Sequence, residues 1–573
     1  MMEKTDNKII LILLPFWSPL IPPIGIACLK SYLEKYNYDV KTIDANMEID
    51  FTDLYDRYFA ILRENVPEDK RGNFFSVGHD VLRNHLTAYL NYSDETKYFA
   101  LVNVLVKKTF FVNLEHGEIL KLHAIITEFY SKLEKYMLNL LDIEKPSVVG
   151  LSVFSDNLPA SMFTFKLTRE KYPHIQTVAG GGVFADQLAN GSENLQVFLE
   201  KTRHYIDKII IGEGEILFLK WLQGELPGSK RVYTFQDIDG QILDITSADL
   251  LDMRDFDCRN YPFIVSYSSR SCPFQCSFCS ETIQWGKYRK KKSRQVFLEL
   301  KELYKRHESQ LFLLSDSLLN PVIQDLSEEF LESDLVLYWG GWLRVDKHVC
   351  NIENALQWRR SGFYQARLGI ESGSEHVLEL MEKQITLEQI RSSISSLAGV
   401  GIKTTTLWVV GHPGETEEDF QQTLDLIAEF RNDIYEAECR PFYYYLIGQS
   451  GSRGDWWAKT NKILLYPEDI ENILLFKTWL LDCEPNREVI YKRMNRFVEH
   501  CRQLGIPNPY SMHDIYEADE RWKKFHRNSV PPLLDFKNSN KYVSECRNVQ
   551  KVSLVNIITP GGPAQKEYVD FGF

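Results

Sequence analysis

The sequence predicts an α/β protein with two successive parallel sheets, followed by a mainly helical C-terminal region. Short apolar runs alternate with amphipathic helical segments in two separate stretches, over residues 1–225 and again over 263–447. Such alternation is typical of parallel strands joined by crossover helices, and ligands gather at the carboxyl ends of those strands. Beyond this, apolar residues recur mainly at helical spacing, which predicts a helical region and tail over 448–573.

The first stretch predicts a doubly wound, Rossmann-like sheet. Residues 9–14 form a continuous apolar run, which is typical of a strand covered on both faces. An amphipathic helix over 26–36 and a second strand over 38–44 follow. Later strands end mainly in small residues, which let the backbone approach a large ligand closely, and the alternative is that the glycines serve only as turns. These residues are Ser152, Gly180, Gly181, Gly182, Gly212 and Glu213.

Between the second and third strands lies an insertion over about 51–145. Apolar residues spaced by three and four predict amphipathic helices over 51–62 and 119–140. We expect these helices to pack on the sheet, and a substrate or partner surface is the alternative. Residues 226–262 read as a polar linker with a short hairpin that pairs 231–234 with 242–245.

The second stretch predicts a partial (β/α)6 barrel. Strand-like runs occur at 263–267, 311–314, 336–339, 365–370, 404–410 and 442–447. Polar or turn residues follow several of these runs. A carboxylate and a cation at converging strand ends suit a ligand that carries both charges, and a structural ion pair is the alternative. The residues are Asp316, Arg344, Glu371, Ser372, Gly411 and Pro413.

Composition excludes several classes of protein. The 573 residues carry 66 basic and 79 acidic side chains, a net charge of −13, so no broadly basic surface for nucleic acid is expected. The basic run over 287–294 reads as a solvated loop-to-helix face. The sequence lacks an apolar run of about 18 residues and an N-terminal signal-peptide pattern, so we expect no membrane partner and a cytoplasmic location.

Three of the ten cysteines crowd into eight residues. Cys272, Cys276 and Cys279 form a C-x3-C-x2-C pattern, which chance would produce on the order of 0.003 times per chain of this composition. Structural zinc normally takes four ligands, and the sequence offers no second Cys-x2-Cys or His-x3-His pair nearby. Three thiolates on a tight loop suit a 4Fe–4S cluster that keeps one iron open for a further ligand.

This loop resembles the signature of the radical S-adenosylmethionine (SAM) superfamily, C-x3-C-x-aromatic-C, with Phe278 as the aromatic residue. The resemblance implies that the three cysteines hold the cluster and that SAM binds the open iron. Reductive cleavage of SAM would then yield a 5′-deoxyadenosyl radical. It further implies SAM contacts for Phe278, Asp316, Arg344, Glu371, Ser372, Gly411 and Pro413.

The strand ends of the first stretch resemble the cobalamin-binding domain that often precedes a radical SAM core. The residues that carry this resemblance are Pro22, Pro23, Gly25, Ser152, Gly180, Gly181, Gly182, Gly212 and Glu213. The Asp-x-His-x-x-Gly motif of classical cobalamin domains is missing, since Gly78-His79-Asp80 does not fit it. Cobalamin would therefore lack a histidine ligand, or the domain has kept the fold and lost the cofactor.

Together these resemblances imply a biosynthetic, cobalamin-dependent radical SAM enzyme. It would methylate an unactivated carbon of a peptide or natural-product substrate through the 5′-deoxyadenosyl radical and methylcobalamin. A flavodoxin- or ferredoxin-like protein would supply electrons. One alternative keeps both cofactors but performs oxidation, cyclisation or rearrangement. Another is a non-enzymatic protein that senses cobalamin or redox state. The cluster cysteines are the only residues assigned to the reaction centre itself.

Overall fold

The structure is a computed structural model that describes residues 8–16, 20–445, 459–507 and 512–537. The chain divides into two compact units, and each contains a six-stranded parallel sheet, so the predicted α/β class is confirmed. Within the described residues, no helix is long and apolar enough to cross a membrane. The first unit comprises Met1–Tyr261, Phe278–Gly286 and Tyr443–Asp482, and the second comprises Pro262–Ser277, Lys287–Phe442 and Cys483–Phe573.

The sheet of the first unit is doubly wound, with the strand order β2-β1-β3-β4-β5-β6. The direction of strand addition reverses beside β1, and ligands of open α/β sheets bind at the carboxyl ends of strands next to such a switch point. β1 is buried after its first residue, as its continuous apolar run predicts. The strands are β1 (Lys8–Leu13), β2 (Asp39–Asp44), β3 (Val148–Ser152), β4 (Gln176–Gly180), β5 (Lys208–Ile210) and β6 (Val232–Tyr233).

Helices flank this sheet and fill the insertion. The insertion holds the two predicted helices and two more, Phe74–Asn91 and Glu95–Phe110. The Phe74–Asn91 helix buries Asn84, His85 and Thr87, and these polar residues interrupt the apolar spacing that would have revealed it. The other helices of this unit are Ile24–Glu34, Ala45–Glu48, Thr52–Asn65, His116–Glu144, Leu158–Lys171, Glu193–Thr202, Gly214–Leu222, Glu281–Trp285 and Glu468–Glu471.

A buried hydrogen-bond chain joins the four helices of the insertion. Nδ1 of His85 lies 3.0 Å from the Tyr58 hydroxyl, and Nε2 lies 2.7 Å from the Tyr98 hydroxyl. Nδ1 of His123 lies 3.1 Å from the same Tyr98 hydroxyl. His85 is fully buried, and burial lowers its pKa to about 3, so the imidazole is neutral at pH 7. A satisfied polar chain of this kind fixes how the helices pack.

The predicted hairpin over 226–262 is wrong. Val232 and Tyr233 form β6, which pairs parallel with β5 and extends the first sheet, while residues 242–245 form no strand. The segment is also more than a linker. The Tyr261 hydroxyl donates a 2.8 Å hydrogen bond to Asp44 Oδ2 at the end of β2. This segment contains the 3-10 turns Phe235–Ile238, Ile245–Ser247 and Cys258–Asn260.

The second unit carries a parallel sheet with the strand order β14-β13-β12-β11-β10-β7. A separate two-stranded antiparallel pair, β8 with β9, follows β7. The strands are β7 (Ile264–Ser266), β8 (Ser269–Arg270), β9 (Arg289–Lys290), β10 (Leu311–Leu314), β11 (Tyr338–Arg344), β12 (Phe363–Glu371), β13 (Lys403–Val410) and β14 (Glu436–Pro441).

The sixth strand of this sheet differs from the prediction. It is β14 rather than 442–447, of which residues 446 and 447 lie outside the described residues. Glu438 and Arg440 of β14 are partly or fully exposed, whereas the alternating Ala437 and Cys439 are buried. Charged residues therefore break the apolar run that marks a strand in the sequence.

Helices connect these strands and continue into the C-terminal region. The described part of that region contains helices, as predicted, but also an antiparallel pair, β15 (Lys462–Leu464) with β16 (Trp479–Leu481), which belongs to the first unit. The predicted domain boundaries, 1–225, 226–262, 263–447 and 448–573, stay predictions. The helices are Ser293–His307, Asn320–Leu331, Ile352–Arg360, Glu375–Leu380, Leu387–Gly399, Glu417–Glu429, Arg487–Gln503 and Met512–Phe525.

We expect His85 to make the first unit sensitive to acid. Its pKa is depressed by folding, so its contribution is complete above the unfolded pKa of about 6.5 and is lost as the pH falls toward about 3. The loss reaches about 1.4 kcal/mol per pH unit at most. His85→Gln should flatten the decline of the unfolding midpoint between pH 7 and pH 4. His204→Gln, at an exposed histidine of the same unit, should keep the wild-type slope. Equal slopes for all three proteins would contradict the assignment.

Candidate cofactor site at the strand ends

The cysteine loop is anchored by its own backbone and by one serine. Ser271 adopts a φ of 72° as the loop begins. At the far side of the loop, the Ser277 amide donates to the Met381 carbonyl at 3.0 Å, and the Ser277 hydroxyl donates to the Leu380 carbonyl at 3.1 Å. Cys272 and Cys276 therefore lie on a loop that Ser277 ties to residues 380 and 381 at its far side.

A buried cation lies against this loop. Arg344 is the last residue of β11, and its Nη1 lies 3.3 Å from Cys276 Sγ. The same guanidinium lies 4.1 Å from the centre of the Phe274 ring. A guanidinium beside a cysteine stabilises negative charge on sulfur, the form in which cysteine binds metal. Burial raises the pKa of the Cys272 thiol.

The third cysteine follows three residues after Cys276. Phe278 and Cys279 belong to the first compact unit, whereas Cys272 and Cys276 belong to the second. Cys276 is buried, whereas Cys272 and Cys279 are half-buried. Among the described residues no three cysteine, histidine or acidic side chains form a ready-made metal site. The three-thiolate ligand set accordingly stays a prediction, and its donors are those that a cluster with one open iron requires.

Glu371 ends β12 in a buried ion pair. Its Oε1 lies 2.7 Å from Nζ of Lys383, and both side chains are no more than 10% exposed. Glu371 has a φ of 72°, so the strand turns sharply at the carboxylate. In the next turn the Ser374 amide donates to the Ser372 hydroxyl at 3.1 Å. The sequence did not indicate this pairing of Lys383 with Glu371.

Asp316 braces the chain that enters the cysteine loop. Its carboxylate accepts hydrogen bonds from the Ser268 amide at 3.0 Å and from the Ser268 hydroxyl at 2.7 Å. The Ser269 hydroxyl donates to it at 2.5 Å. Asp316 is fully buried, and burial raises its pKa against the effect of these hydrogen bonds. Its predicted contact with SAM stays a prediction.

The loop after β13 depends on an arginine that sequence reasoning missed. The Gly411 amide donates to Glu415 Oε2 at 2.9 Å. Arg493 Nη1 donates to that same carboxylate oxygen at 2.8 Å and to the Glu415 carbonyl at 3.0 Å. The Arg493 and Glu415 side chains are 6% and 2% exposed. Arg493 lies 78 residues after Glu415, in helix Arg487–Gln503. No motif in that helix indicates the pairing.

The same helix also shapes the backbone at Gly411. This residue has a φ of 84°, and a Cβ there would lie 2.3 Å from Cγ1 of Ile490. Pro413, the other predicted residue of the loop, accepts through its carbonyl from Nδ1 of the buried His412 at 3.0 Å. The loop is therefore held by helix Arg487–Gln503 through one charge and one close contact.

In the first unit, the predicted strand-end residues share one edge of the sheet because β3, β4 and β5 are neighbours. A Cβ on Gly181 would lie 2.5 Å from the Val153 carbonyl oxygen, and one on Gly212 would lie 2.5 Å from the Phe235 ring. Both glycines also have positive φ, at 115° and 99°. These two glycines are thus required by contacts within the chain itself.

The remaining residues of this edge have different environments. A Cβ on Gly182 would meet the Phe154 ring at 2.7 Å, whereas one on Gly180 would make only ordinary contact. The carbonyl of Ser152 accepts from Asn157 Nδ2 at 2.9 Å. Glu213 is buried and accepts from the Leu243 amide at 3.2 Å.

The proline loop lies beside the first helix of this unit. Pro22 and Pro23 directly precede helix Ile24–Glu34, and Gly25 has open space where a Cβ would be. His79, which does not fit the classical cobalamin motif, lies in the insertion, where its Nε2 is 2.8 Å from the Tyr55 hydroxyl.

Part of the chain is similar to a known superfamily. Residues 266–427 match the radical SAM superfamily. The anaerobic magnesium-protoporphyrin IX monomethyl ester cyclase of Rubrivivax gelatinosus is 26% identical over 319 residues, covering 51% of this chain and 55% of that protein. The cobalamin-dependent radical SAM methyltransferase TokK of Streptomyces tokunonensis is 24% identical over 391 residues, covering 58% of this chain and 56% of TokK. The chain thus spans about half the length of these two relatives.

The fold extends the likeness over both units. The radical SAM methyltransferase TsrM from Kitasatospora setae, solved with cobalamin and a 4Fe–4S cluster, superposes with a TM-score of 0.58 at 12% identity, covering 93% of this chain and 99% of TsrM. Residues 266–427 are therefore similar to the radical SAM superfamily, and the fold of the chain is similar to that of TsrM.

We expect Arg493 to be essential for the loop after β13. Arg493→Met would leave the Glu415 carboxylate buried without its cation, and such a loss costs about 3–5 kcal/mol of unfolding free energy. Arg496→Met is the matched control, because Arg496 lies on the same helix but pairs with Glu417 at the surface, where an ion pair contributes about 1 kcal/mol at most. Urea denaturation would measure both. Equal losses for the two variants would contradict the role given to Arg493.

Proposed function

We propose that the chain is a cobalamin-dependent radical SAM enzyme that methylates an unactivated carbon of a small-molecule or peptide substrate. The observation that carries the proposal is the tied cysteine loop with Arg344 against Cys276, within the segment that matches the radical SAM superfamily. Methylation is favoured because TokK and TsrM, which share the sequence or the fold, are methyltransferases by name.

The donor set fits the cofactors that the family uses. Cys272, Cys276 and Cys279 would hold a 4Fe–4S cluster, and cobalamin would lie at the carboxyl edge of the first sheet. When bound, the cluster supplies the electron that cleaves SAM, and cobalamin carries the methyl group. His79 Nε2 is within hydrogen-bond distance of the Tyr55 hydroxyl, which is consistent with a cobalamin that takes no ligand from this histidine.

The residues of the second unit position and stabilise these groups. Ser277 fixes the cysteine loop, and Arg344 places a cation 3.3 Å from Cys276 Sγ. The Glu371–Lys383 pair places a carboxylate and an ammonium at the end of β12, where an amino-acid moiety of SAM requires opposite charges. The Gly411 loop, held by Arg493, presents backbone for the remainder of the cofactor.

The partners of the reaction follow from the same proposal. Reductive cleavage of SAM needs an external one-electron donor, for which a flavodoxin- or ferredoxin-like protein is suited. An oxygen-sensitive cluster requires a reducing compartment, which agrees with the expected cytoplasmic location. Phe278 and Asp316 are proposed to lie beside SAM on the strength of the motif alone.

A second candidate function keeps both cofactors but forms a ring or oxidises the substrate. It is favoured by the likeness to the Rubrivivax gelatinosus cyclase, whose name describes ring formation rather than methyl transfer. A cobalamin- or redox-sensing protein without catalysis is the third reading.

We expect Cys276→Ala to lose the cluster. After anaerobic reconstitution with iron and sulfide, the wild-type chain should bind about four irons per chain, and the variant should bind about one or fewer. Cys350→Ala is the control, because Cys350 is a half-buried solitary cysteine of the same unit. It should keep the wild-type iron content and the visible absorption of the cluster. Retention of four irons by Cys276→Ala would refute the ligand assignment.

The products of SAM should separate the candidate functions. A methylating enzyme that uses SAM both as radical source and as methyl donor should release 5′-deoxyadenosine and S-adenosylhomocysteine, measured by liquid chromatography and mass spectrometry with reductant and a substrate. Formation of 5′-deoxyadenosine without S-adenosylhomocysteine would exclude methylation and favour the cyclising or oxidising enzyme. Cobalamin binding without either product would favour the sensor.

A further inference from the structure

One face of the sheet in the second unit carries polar and charged residues in register. Trp342, Arg367 and Thr405 are partners across β11, β12 and β13, and Leu407 is the partner of Glu438 across β13 and β14. Side chains of register partners in parallel strands lie on the same face, and successive residues alternate between faces. We call this set the lumen face: Trp342, Arg344, Gln365, Arg367, Thr405, Leu407, Val409, Glu436, Glu438 and Arg440.

Contacts identify which way the lumen face points. Arg344, at the carboxyl end of β11, contacts Cys276 of the cysteine loop. A Cβ on Gly369, the register partner of Arg344, would lie 2.9 Å from Glu371 Oε1. On the opposite face, Trp408 contacts the Phe497 ring of helix Arg487–Gln503 at 6.2 Å between centres. The lumen face is therefore the concave side that continues into the candidate cofactor site.

The two faces differ in exposure as well as in chemistry. The helix-facing side chains that alternate with the lumen face, such as Leu368, Trp408 and Cys439, are 2% exposed or less. Trp342, Arg367 and Glu438 on the lumen face are partly exposed. In closed (β/α)8 barrels, bulky branched side chains fill the interior. Here charged side chains occupy it, and although Arg344 and Glu436 are buried, Arg367 and Glu438 remain partly open to solvent. A few exposed polar groups on a concave surface are typical of a binding cavity.

Arg367 is at the centre of this face. Its Nη1 donates to Glu438 Oε1 at 2.9 Å, with side-chain exposures of 16% and 32%. Its guanidinium lies 5.6 Å from the centre of the Trp342 ring. Arginine has five N–H donors, and Glu438 is the one hydrogen-bond acceptor for them in the part of the chain that the structure describes. The guanidinium thus has unused donor capacity beside an aromatic surface.

We propose that the lumen face binds the carboxylate of a small-molecule substrate, with Arg367 as the residue that recognises it. This inference rests on the proposed function, for which it names a substrate class. Arg344 and the Glu371–Lys383 pair are assigned to the cofactor loop ends, so Arg367 and Glu438 remain for the substrate. A guanidinium with free donors matches the planar, two-oxygen geometry of a carboxylate, and Glu438 holds it in orientation.

The opposite choice, a cationic substrate bound by Glu438, is less favoured. Glu438 already accepts from Arg367, and Glu436, the other carboxylate of the lumen face, is buried and accepts from the Thr405 hydroxyl at 3.0 Å. Both carboxylates therefore already accept hydrogen bonds within the sheet, whereas Arg367 has donors without acceptors in the part of the chain that the structure describes. Trp342 supplies an apolar surface for the body of the substrate beside its carboxylate.

The test uses benzoate as the probe and benzamide as its uncharged isostere. Isothermal titration calorimetry with the full-length, cluster-reconstituted protein, under anaerobic conditions and without SAM, measures binding directly. Benzoate should bind at least about tenfold more tightly than benzamide. Arg367→Gln should abolish this preference. Glu438→Gln should strengthen benzoate binding about threefold or more, because it removes the competing carboxylate.

Opposite responses of the two variants exclude a general loss of folding as the cause. Arg391→Gln is the matched control, because Arg391 is a surface arginine of the same unit that pairs with Glu429. It should bind benzoate as the wild type does. No benzoate binding, equal binding of benzamide, or an unchanged preference in Arg367→Gln would overturn the proposal. Because binding is measured without turnover, failure here is distinct from failure to cleave SAM.

Discussion

The loops that follow parallel strands leave part of their backbone without strand partners, and the second unit depends on how that deficit is met. Each strand end that matters to the site is held by a buried charge or polar group. Asp316 braces the entry to the cysteine loop, Lys383 pairs with Glu371, and Arg493 holds Glu415 under Gly411. A buried ion pair is costly to form and costly to break, so these loops have one favoured arrangement. The strand ends are therefore already ordered where a cofactor would bind.

The predicted and observed elements agree where sequence patterns reflect burial on both faces. β1 and β10 are continuous apolar runs, and both lie where the sequence predicts them. β14 was not predicted because Glu438 and Arg440 lie on the lumen face, so that only alternate residues of the strand are apolar. The Phe74–Asn91 helix was not predicted because it buries His85 and other polar residues, which interrupt the apolar spacing. In each case a polar residue placed inside the fold concealed the element.

The candidate site divides in the same way. The strand-end residues Arg344, Glu371 and Gly411 could be predicted, because a local motif or a strand end marks each of them. Arg493 and Ile490 could not be predicted, since their roles arise only when a helix far along the chain packs on the Gly411 loop. At Gly181 and Gly212, the sequence suggested room for a ligand, and the structure shows contacts with Val153 and Phe235 instead. Glycine in a sequence marks a close approach without identifying what approaches.

The contact between Gly411 and Ile490 bears on how this fold can change. The matched superfamily segment ends at residue 427, yet Gly411 within it lies against the side chain of Ile490, 63 residues beyond that end. The barrel is consequently not modular at this boundary. If relatives exchanged C-terminal regions, the Gly411 loop would pack against a helix whose side chains do not fit it. The loop and the helix are therefore expected to change together in evolution. Substrate range in such a lineage would then evolve by changes on the concave strands more readily than by acquisition of new C-terminal segments.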